Sequence, residues 1–216
     1  MVATPPERET PIQSAPVACT VVLLAGPSGS GKSRLTRQLG VPQLRLDDFY
    51  RDGDDPDLPM VRSMVDWDDI ASWNLEAAVA ALCSLVECGS ARTPRYNLST
   101  SRAEGTRVVE TDGAPVILTE GIFAPDLLEP CRRAGLDVLP IWIDRSRDVN
   151  FIRRLRRDLH QHRKPPAVLV RRGLALRGAE PGLRNLAVAL GFQPCGMRRA
   201  RAEISGLLDS ADPTDR

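Results

Sequence analysis

Histidine and lysine are almost missing from this chain: two His, and Lys only at Lys32 and Lys164, in 216 residues. The five cysteines, Cys19, Cys83, Cys88, Cys131 and Cys195, are odd in number and scattered, with no C-x-x-C pair. Both shortages point away from a zinc site, and the cysteine pattern gives no disulfide framework. Aromatic residues make up 4% of the chain, too few for a base-stacking platform, so no nucleic-acid partner is expected. No run approaches the ~18 apolar residues of a membrane span, and MVATPPERETPIQSAP lacks the charged start and apolar core of a signal peptide. No membrane partner is expected, and the cytoplasm is the expected compartment. A formal charge of +1 gives no global attraction to polyanions, which leaves local charge to decide function.

What is present suffices for one domain with a sizeable core: 42% of the residues are hydrophobic. Residues 1–17 are rich in Pro, Thr, Ser and Glu without periodicity and read as a flexible tail, 211–216 as a frayed end, and 18–210 as the domain. Apolar runs and helical periodicities alternate. They predict strands at 19–25, 43–46, 107–110, 116–119 and 137–143, and helices at 32–39, 75–88, 125–134 and 146–161, with 93–106 irregular. Beyond about Pro165, AVLVRRGLALRG and PGLRNLAVALG read as two helices and Met197–Leu208 as a third. Strands alternating with helices imply an α/β fold, a mostly parallel sheet covered on both faces.

The sharpest motif is GPSGSGKS, Gly26 to Ser33, which satisfies G-x-x-x-x-G-K-[ST] between a strand and a helix. Gly26, Gly29 and Gly31 let the backbone turn its N–H groups inward, and the helix N-terminus adds positive potential. The stretch is therefore expected to hold a nucleoside triphosphate, ATP or GTP, through Gly26, Ser28, Gly29, Ser30, Gly31, Lys32 and Ser33. Lys32 would reach the β- and γ-phosphates, and Ser33 would offer its hydroxyl to Mg²⁺. A magnesium ion also needs carboxylates, and two stand directly after apolar strands, where ligands lie in open α/β sheets: Asp47 and Glu120.

LRLDDFYR at 44–51 supplies the other half. A GxSGSGKS loop followed by a strand ending in D-[DS]-F-Y-[RK] resembles the uridine kinase family, nucleoside kinases related to phosphoribulokinase and pantothenate kinase. VDWDD at 65–69 is similar to that family's F-D-H-P-D, PRYN at 94–97 to P-x-Y-D, LTEGI at 118–122 to F-E-G-I, and RRLRRD at 153–158 to R-R-x-x-R-D. The resemblance implies a P-loop NTPase fold with a small helical lid, at about 160–180. It further implies an ATP- or GTP-dependent, Mg²⁺-requiring kinase acting on the 5′-hydroxyl of uridine or cytidine. Asp47 would accept the hydroxyl proton, Tyr50, Asp66 and Tyr96 would line the nucleoside pocket, and Glu120 would complete the metal shell.

Along 152–161, Ile152, Leu155 and Leu159 share one face and Arg154, Arg157 and Gln161 another, so an apolar stripe should pack while the cations stay outside. Cations carried by a lid neutralise charge developing on a transferring phosphoryl group. With the resemblance, Arg154, Arg157 and Lys164 are the expected cations, with Arg163 beside them and Arg154 also near the acceptor. Four departures fall on the acceptor side: HRKPP replaces the lid's R-G-R-D, no His follows Tyr96, Asn97 replaces an Asp, and Trp67 replaces a His. They keep two alternatives open, a related kinase for a polyol or vitamin precursor and a nucleotide-binding regulator without transfer activity. A homo-oligomer is compatible with the sequence.

Overall fold

In the computed structural model, which describes residues 19–160 and 166–210, the first apolar run forms strand β1 (Thr20–Ala25), buried from Val21 onward. The glycine-rich turn leads into helix α1 (Lys32–Leu39), strand β2 (Gln43–Arg45) and a single 3₁₀ turn, Leu46–Phe49. A small hairpin, β3 (Met60–Val61) and β4 (Met64–Val65), and a second 3₁₀ turn, Ile70–Ser72, precede helix α2 (Leu75–Cys88). Asn74 caps α2 by accepting from the Ala77 N–H, and Gly89 ends it in the left-handed conformation. Then come strands β5 (Ser90–Asn97), β6 (Arg102–Glu110) and β7 (Val116–Glu120), helix α3 (Ala124–Arg133) and strand β8 (Asp137–Ile143). Helices α4 (Arg147–His160) and α5 (Pro166–Ala189), strand β9 (Gln193–Cys195) and helix α6 (Met197–Ser210) complete the chain. The expected tail and frayed end, and the lid residues Arg163 and Lys164, lie outside the described residues.

Five strands form one parallel sheet in the order β2-β7-β1-β8-β9. Because successive side chains of a strand point to opposite faces, β1 feeds two cores. Val21, Leu23 and Ala25 pack with α2 and α3, while Val22 and Leu24 pack with Leu35 of α1 and Ala200 and Ile204 of α6. This is the expected P-loop NTPase arrangement, an α/β sheet covered on both faces. No helix among the described residues is long and apolar enough to cross a membrane.

Three expectations need correction. The segment 93–106 is not irregular: β5 and β6 form an antiparallel hairpin whose register shifts between Pro94 and Tyr96. The proline and the bulge hide the alternation that buries Ala91, Thr93 and Tyr96. The two helices expected after Pro165 are one, α5, with Pro181 inside it. Proline removes a hydrogen bond there, but Leu169, Gly173, Glu180 and Ala187 on both sides share the buried face, and that common burial carries the helix through. Finally, Gln193–Cys195 pairs with β8 as a fifth parallel strand, too short to leave a periodic signal.

The 3₁₀ turn after β2 is fixed by a buried aromatic. Trp73 donates its indole N–H to the Leu46 carbonyl at 2.7 Å and stacks on Phe123, with ring centroids 5.2 Å apart. Trp73→Phe keeps most of the packing and leaves that carbonyl without its donor, so it should cost about 1–3 kcal/mol in urea unfolding. Trp73→Ala should cost about 3–5 kcal/mol.

Candidate active site

β7 lies between β1 and β2, and its last residue, Glu120, is in register with Leu24 on one side and Arg45 on the other. Two residues past Leu24 the phosphate loop begins; two residues past Arg45 stands Asp47. The topology alone therefore gathers loop, Glu120 and Asp47 at one sheet edge. Lys32 spans the loop, its ammonium donating to the carbonyls of Gly26 at 2.6 Å and Pro27 at 3.2 Å. Burial pulls its pKa down to about 8, opposed by the nearby charges of Glu120 and Asp47 and assisted by those of Arg154 and Arg157. Asp47 moves the other way: burial raises it first, and Glu120 and Asp48 add to that against Arg45 and Lys32.

The adjacent Asp48 is committed elsewhere. It is 1% exposed, lies 2.8 Å from the Arg107 guanidinium in an ionic contact, and accepts from the Tyr96 N–H at 3.4 Å. Of the pair, Asp47 alone is left for the site. Ser33 is exposed in the first turn of α1. Ser33, Asp47 and Glu120 are all hard oxygen donors, and no group of three or more His, Cys, Asp or Glu side chains forms a cage among the described residues. That set suits a Mg²⁺ that keeps waters and leans on phosphate oxygens, rather than a dedicated protein cage.

The loop is pressed against α4. Gly29 has φ +89°, and a Cβ built there would sit 2.6 Å from the Asn150 carbonyl oxygen, so no side chain fits without moving α4. Arg154, one turn on, donates twice to the Ser28 carbonyl, at 2.9 and 3.3 Å. Here the expected stripe is reversed: Arg154 is 5% exposed while Ile152 is 61% exposed. The reason is a partner the periodicity of α4 cannot contain, Glu180 of α5, which pairs with Arg154 at 3.0 Å and accepts from Asn150 at 3.1 Å. Two buried opposite charges satisfy one another, and Arg154 keeps one buried nitrogen, Nη1, without a hydrogen-bond partner among the described residues. Arg157 stays half exposed beside Asp158.

On the acceptor side the structure gathers the expected tyrosines into an aromatic cluster. Tyr50 packs edge-on against Trp67 at 5.6 Å and tilted against Tyr96 at 5.8 Å. Both hydroxyls donate to backbone, Tyr50 to Trp67 and Tyr96 to Arg51, and burial raises both phenols. Asp66 spends one oxygen on the Asp68 N–H. A cavity of about 760 Å³ opens beside the loop, bounded by Gly26–Ser28, Gly121–Phe123, Asp68, Ile70, α4 and α5. Asp47, Tyr50, Asp66 and Tyr96 are not on its wall; Arg154 and Arg157 are. A second cavity, about 490 Å³, lies across Pro27 against Asp144–Asp148 and Arg184.

Sequence reasoning missed Glu180, which carries no local signal, and a group of arginines on the α1 side of the loop. Arg145 is lowered by burial and then by Arg153 and Arg34, and the Arg153 guanidinium comes within 3.7 Å of where a Gly31 Cβ would stand. None of the three has an acidic partner among the described residues, which adds positive potential for phosphate.

A family model described as the phosphoribulokinase / uridine kinase family matches residues 21–164. A uridine kinase from Deinococcus deserti is 30% identical over 162 residues, 71% of this chain and 75% of the relative. One from Psychromonas ingrahamii is 31% identical over 160 residues, 68% and 72% of the two chains. Among solved structures, a kinase from Silicibacter sp. TM1040, provisionally named for a fructose transport system, shares the fold. Its TM-score is 0.52 at 21% identity, over 84% of this chain and 87% of that one.

Phosphate oxygens beside Lys32 should return it toward the ordinary lysine value. Binding of MgATP should then take up close to one proton at about pH 9 and almost none near pH 6.5. Calorimetry in buffers of different ionisation enthalpy reads this, and Lys32→Met should abolish the uptake. Glu180→Gln leaves the Arg154 charge buried and unpaired, and should cost about 3–5 kcal/mol in urea unfolding, most of it recovered in Arg154→Met with Glu180→Leu.

Proposed function

The chain belongs to the phosphoribulokinase / uridine kinase family, and from that premise we propose that it transfers the γ-phosphoryl group of ATP or GTP to the 5′-hydroxyl of uridine or cytidine. That it is a kinase for a small molecule follows from the family; donor and acceptor are our reading. The observation that carries it is the register of Glu120 between β1 and β2, with the charges of Glu120 and Asp47 both acting on Lys32 of the phosphate loop.

Phosphoryl transfer asks the protein mainly for positioning and charge neutralisation. The loop N–H groups and Lys32 hold the phosphates. Asp47, with its pKa raised by burial, is suited to take the acceptor proton, since a base works best when its pKa approaches the operating pH. Ser33, Asp47 and Glu120 would hold Mg²⁺, which when bound neutralises charge on the phosphate oxygens. Arg154 anchors the loop through Ser28 and would bring its charge close to the phosphates; Arg157 would add a second cation, and Arg163 and Lys164 further charge from the lid. Tyr50 and Tyr96 offer ring faces to a base, and the second carboxylate oxygen of Asp66 is free to accept from sugar hydroxyls.

Asp47→Asn should leave ATP affinity nearly intact and lower kcat by ~10²-fold or more with uridine or cytidine in a coupled ADP-release assay. An acid limb of the pH–rate profile that reports Asp47 should vanish in the variant. Unchanged transfer in Asp47→Asn overturns the mechanism, and turnover of other alcohols but of no nucleoside overturns the acceptor.

A further inference from the structure

The β5–β6 hairpin is fastened at several points to the chain that leaves Asp47. Toward its tip the Gly53 N–H donates to the Ser101 carbonyl at 2.7 Å, the Ala103 N–H to the Asp52 carboxylate at 2.7 Å and the Tyr96 hydroxyl to the Arg51 carbonyl at 3.0 Å, while Arg102 pairs with Asp54 at 2.6 Å. Farther in, the fastening is a pair of charges: Arg107 lies 2.8 Å from Asp48, whose side chain is 2% exposed against 31% for that of Arg107. The other Asp48 oxygen accepts from the Tyr96 backbone N–H. One carboxylate therefore holds both strands of the hairpin.

As a source of stability this pair is poor. Asp48 Oδ2, Arg107 Nε and Nη2, and Oγ1 of Thr93, the residue opposite Arg107 in the ladder, are buried and have no hydrogen-bond partner among the described residues. Polar atoms buried in that way cost free energy, and apolar residues of similar volume are often as stable as a buried ion pair. What the pair supplies is direction. In a 3₁₀ turn successive side chains stand about 120° apart, so holding Asp48 inward against the hairpin fixes the rotation of the turn, and with it the bearing of Asp47. The backbone of Tyr96 hangs from the same carboxylate.

Resting on the reading of Asp47 as the base, we propose that Arg107 is a positioning residue for the transfer: by clamping the Asp48 carboxylate it aligns Asp47 with an acceptor held beside Tyr96. The donor is held by the phosphate loop on the far side of Glu120, so its binding does not depend on the clamp.

Arg107→Met and the double variant Arg107→Met, Asp48→Leu test it, with uridine, cytidine or whichever alcohol the wild-type chain phosphorylates best. Coupled ADP release gives kcat, calorimetry the Kd of MgATP, and urea unfolding the stability. Because a misplacement of about 1 Å at a reacting group can cost ~10²-fold, Arg107→Met should lower kcat by ~10-fold or more and leave the Kd of MgATP unchanged. The double variant should unfold at the wild-type urea concentration or above it, and still lack the lost kcat. A double variant that recovers kcat, or one that unfolds earlier than the wild type, makes the pair a structural device and overturns the proposal. So does an Arg107→Met chain that transfers at the wild-type rate, or one whose MgATP affinity falls along with kcat. The reading beneath it fails separately: unchanged transfer in Asp47→Asn removes the base and the clamp together, whereas loss in Asp47→Asn beside full activity in Arg107→Met removes the clamp alone. A wild-type chain that phosphorylates no alcohol overturns both.

Discussion

The close approach of the phosphate loop to α4 governs the rest of the site. At Gly29 there is no room for a single carbon between the loop and the Asn150 carbonyl, and Arg154 ties the preceding residue to the same helix. A glycine-rich loop alone is free to take many conformations, and the entropy of fixing it is a cost. Here α4 restricts that freedom through backbone contact and a buried cation. The arrangement depends on the charge of Arg154 being tolerable inside the protein, which in turn depends on Glu180. Loop, α4 and α5 form one electrostatic unit, although they are far apart in the chain.

On the opposite side of Glu120, the turn that carries Asp47 is held by aromatic packing and one ion pair. Trp73, Phe49 and Phe123 surround it, the indole takes the Leu46 carbonyl, and Asp48 reaches the hairpin through Arg107. Gly121 leaves space for Leu46, since a Cβ there would lie 2.7 Å from that of Leu46. Burial in this setting is what raises the pKa of Asp47.

Much of this was legible in the residues because it is local. The strand, loop and helix around GPSGSGKS, the strand at 137–143 and the helix capped by Asn74 each carry a complete signal within a dozen positions. So does the choice of Asp47 and Glu120 as strand-end carboxylates, which the parallel register brings together. What could not be read depends on distant partners. Arg154 is indistinguishable from a solvated arginine until Glu180, 26 positions on, is placed beside it. The β5–β6 hairpin is masked by Pro94, Gly105 and a bulge, and the face it buries meets α2 and Asp48, which are distant in sequence. Likewise, two apolar runs split by Pro181 look like two helices until a single buried face is seen to join them.

The placement of Glu180 has one more consequence, for how α4 and α5 can move against each other. Most of α5 packs on α4 or faces water. Glu180, in that same helix, neutralises the cation that holds the loop. Any slide of α5 along α4 therefore carries the counter-charge away from the loop's cation, so the register of one helix pair and the shape of the loop are a single mechanical variable.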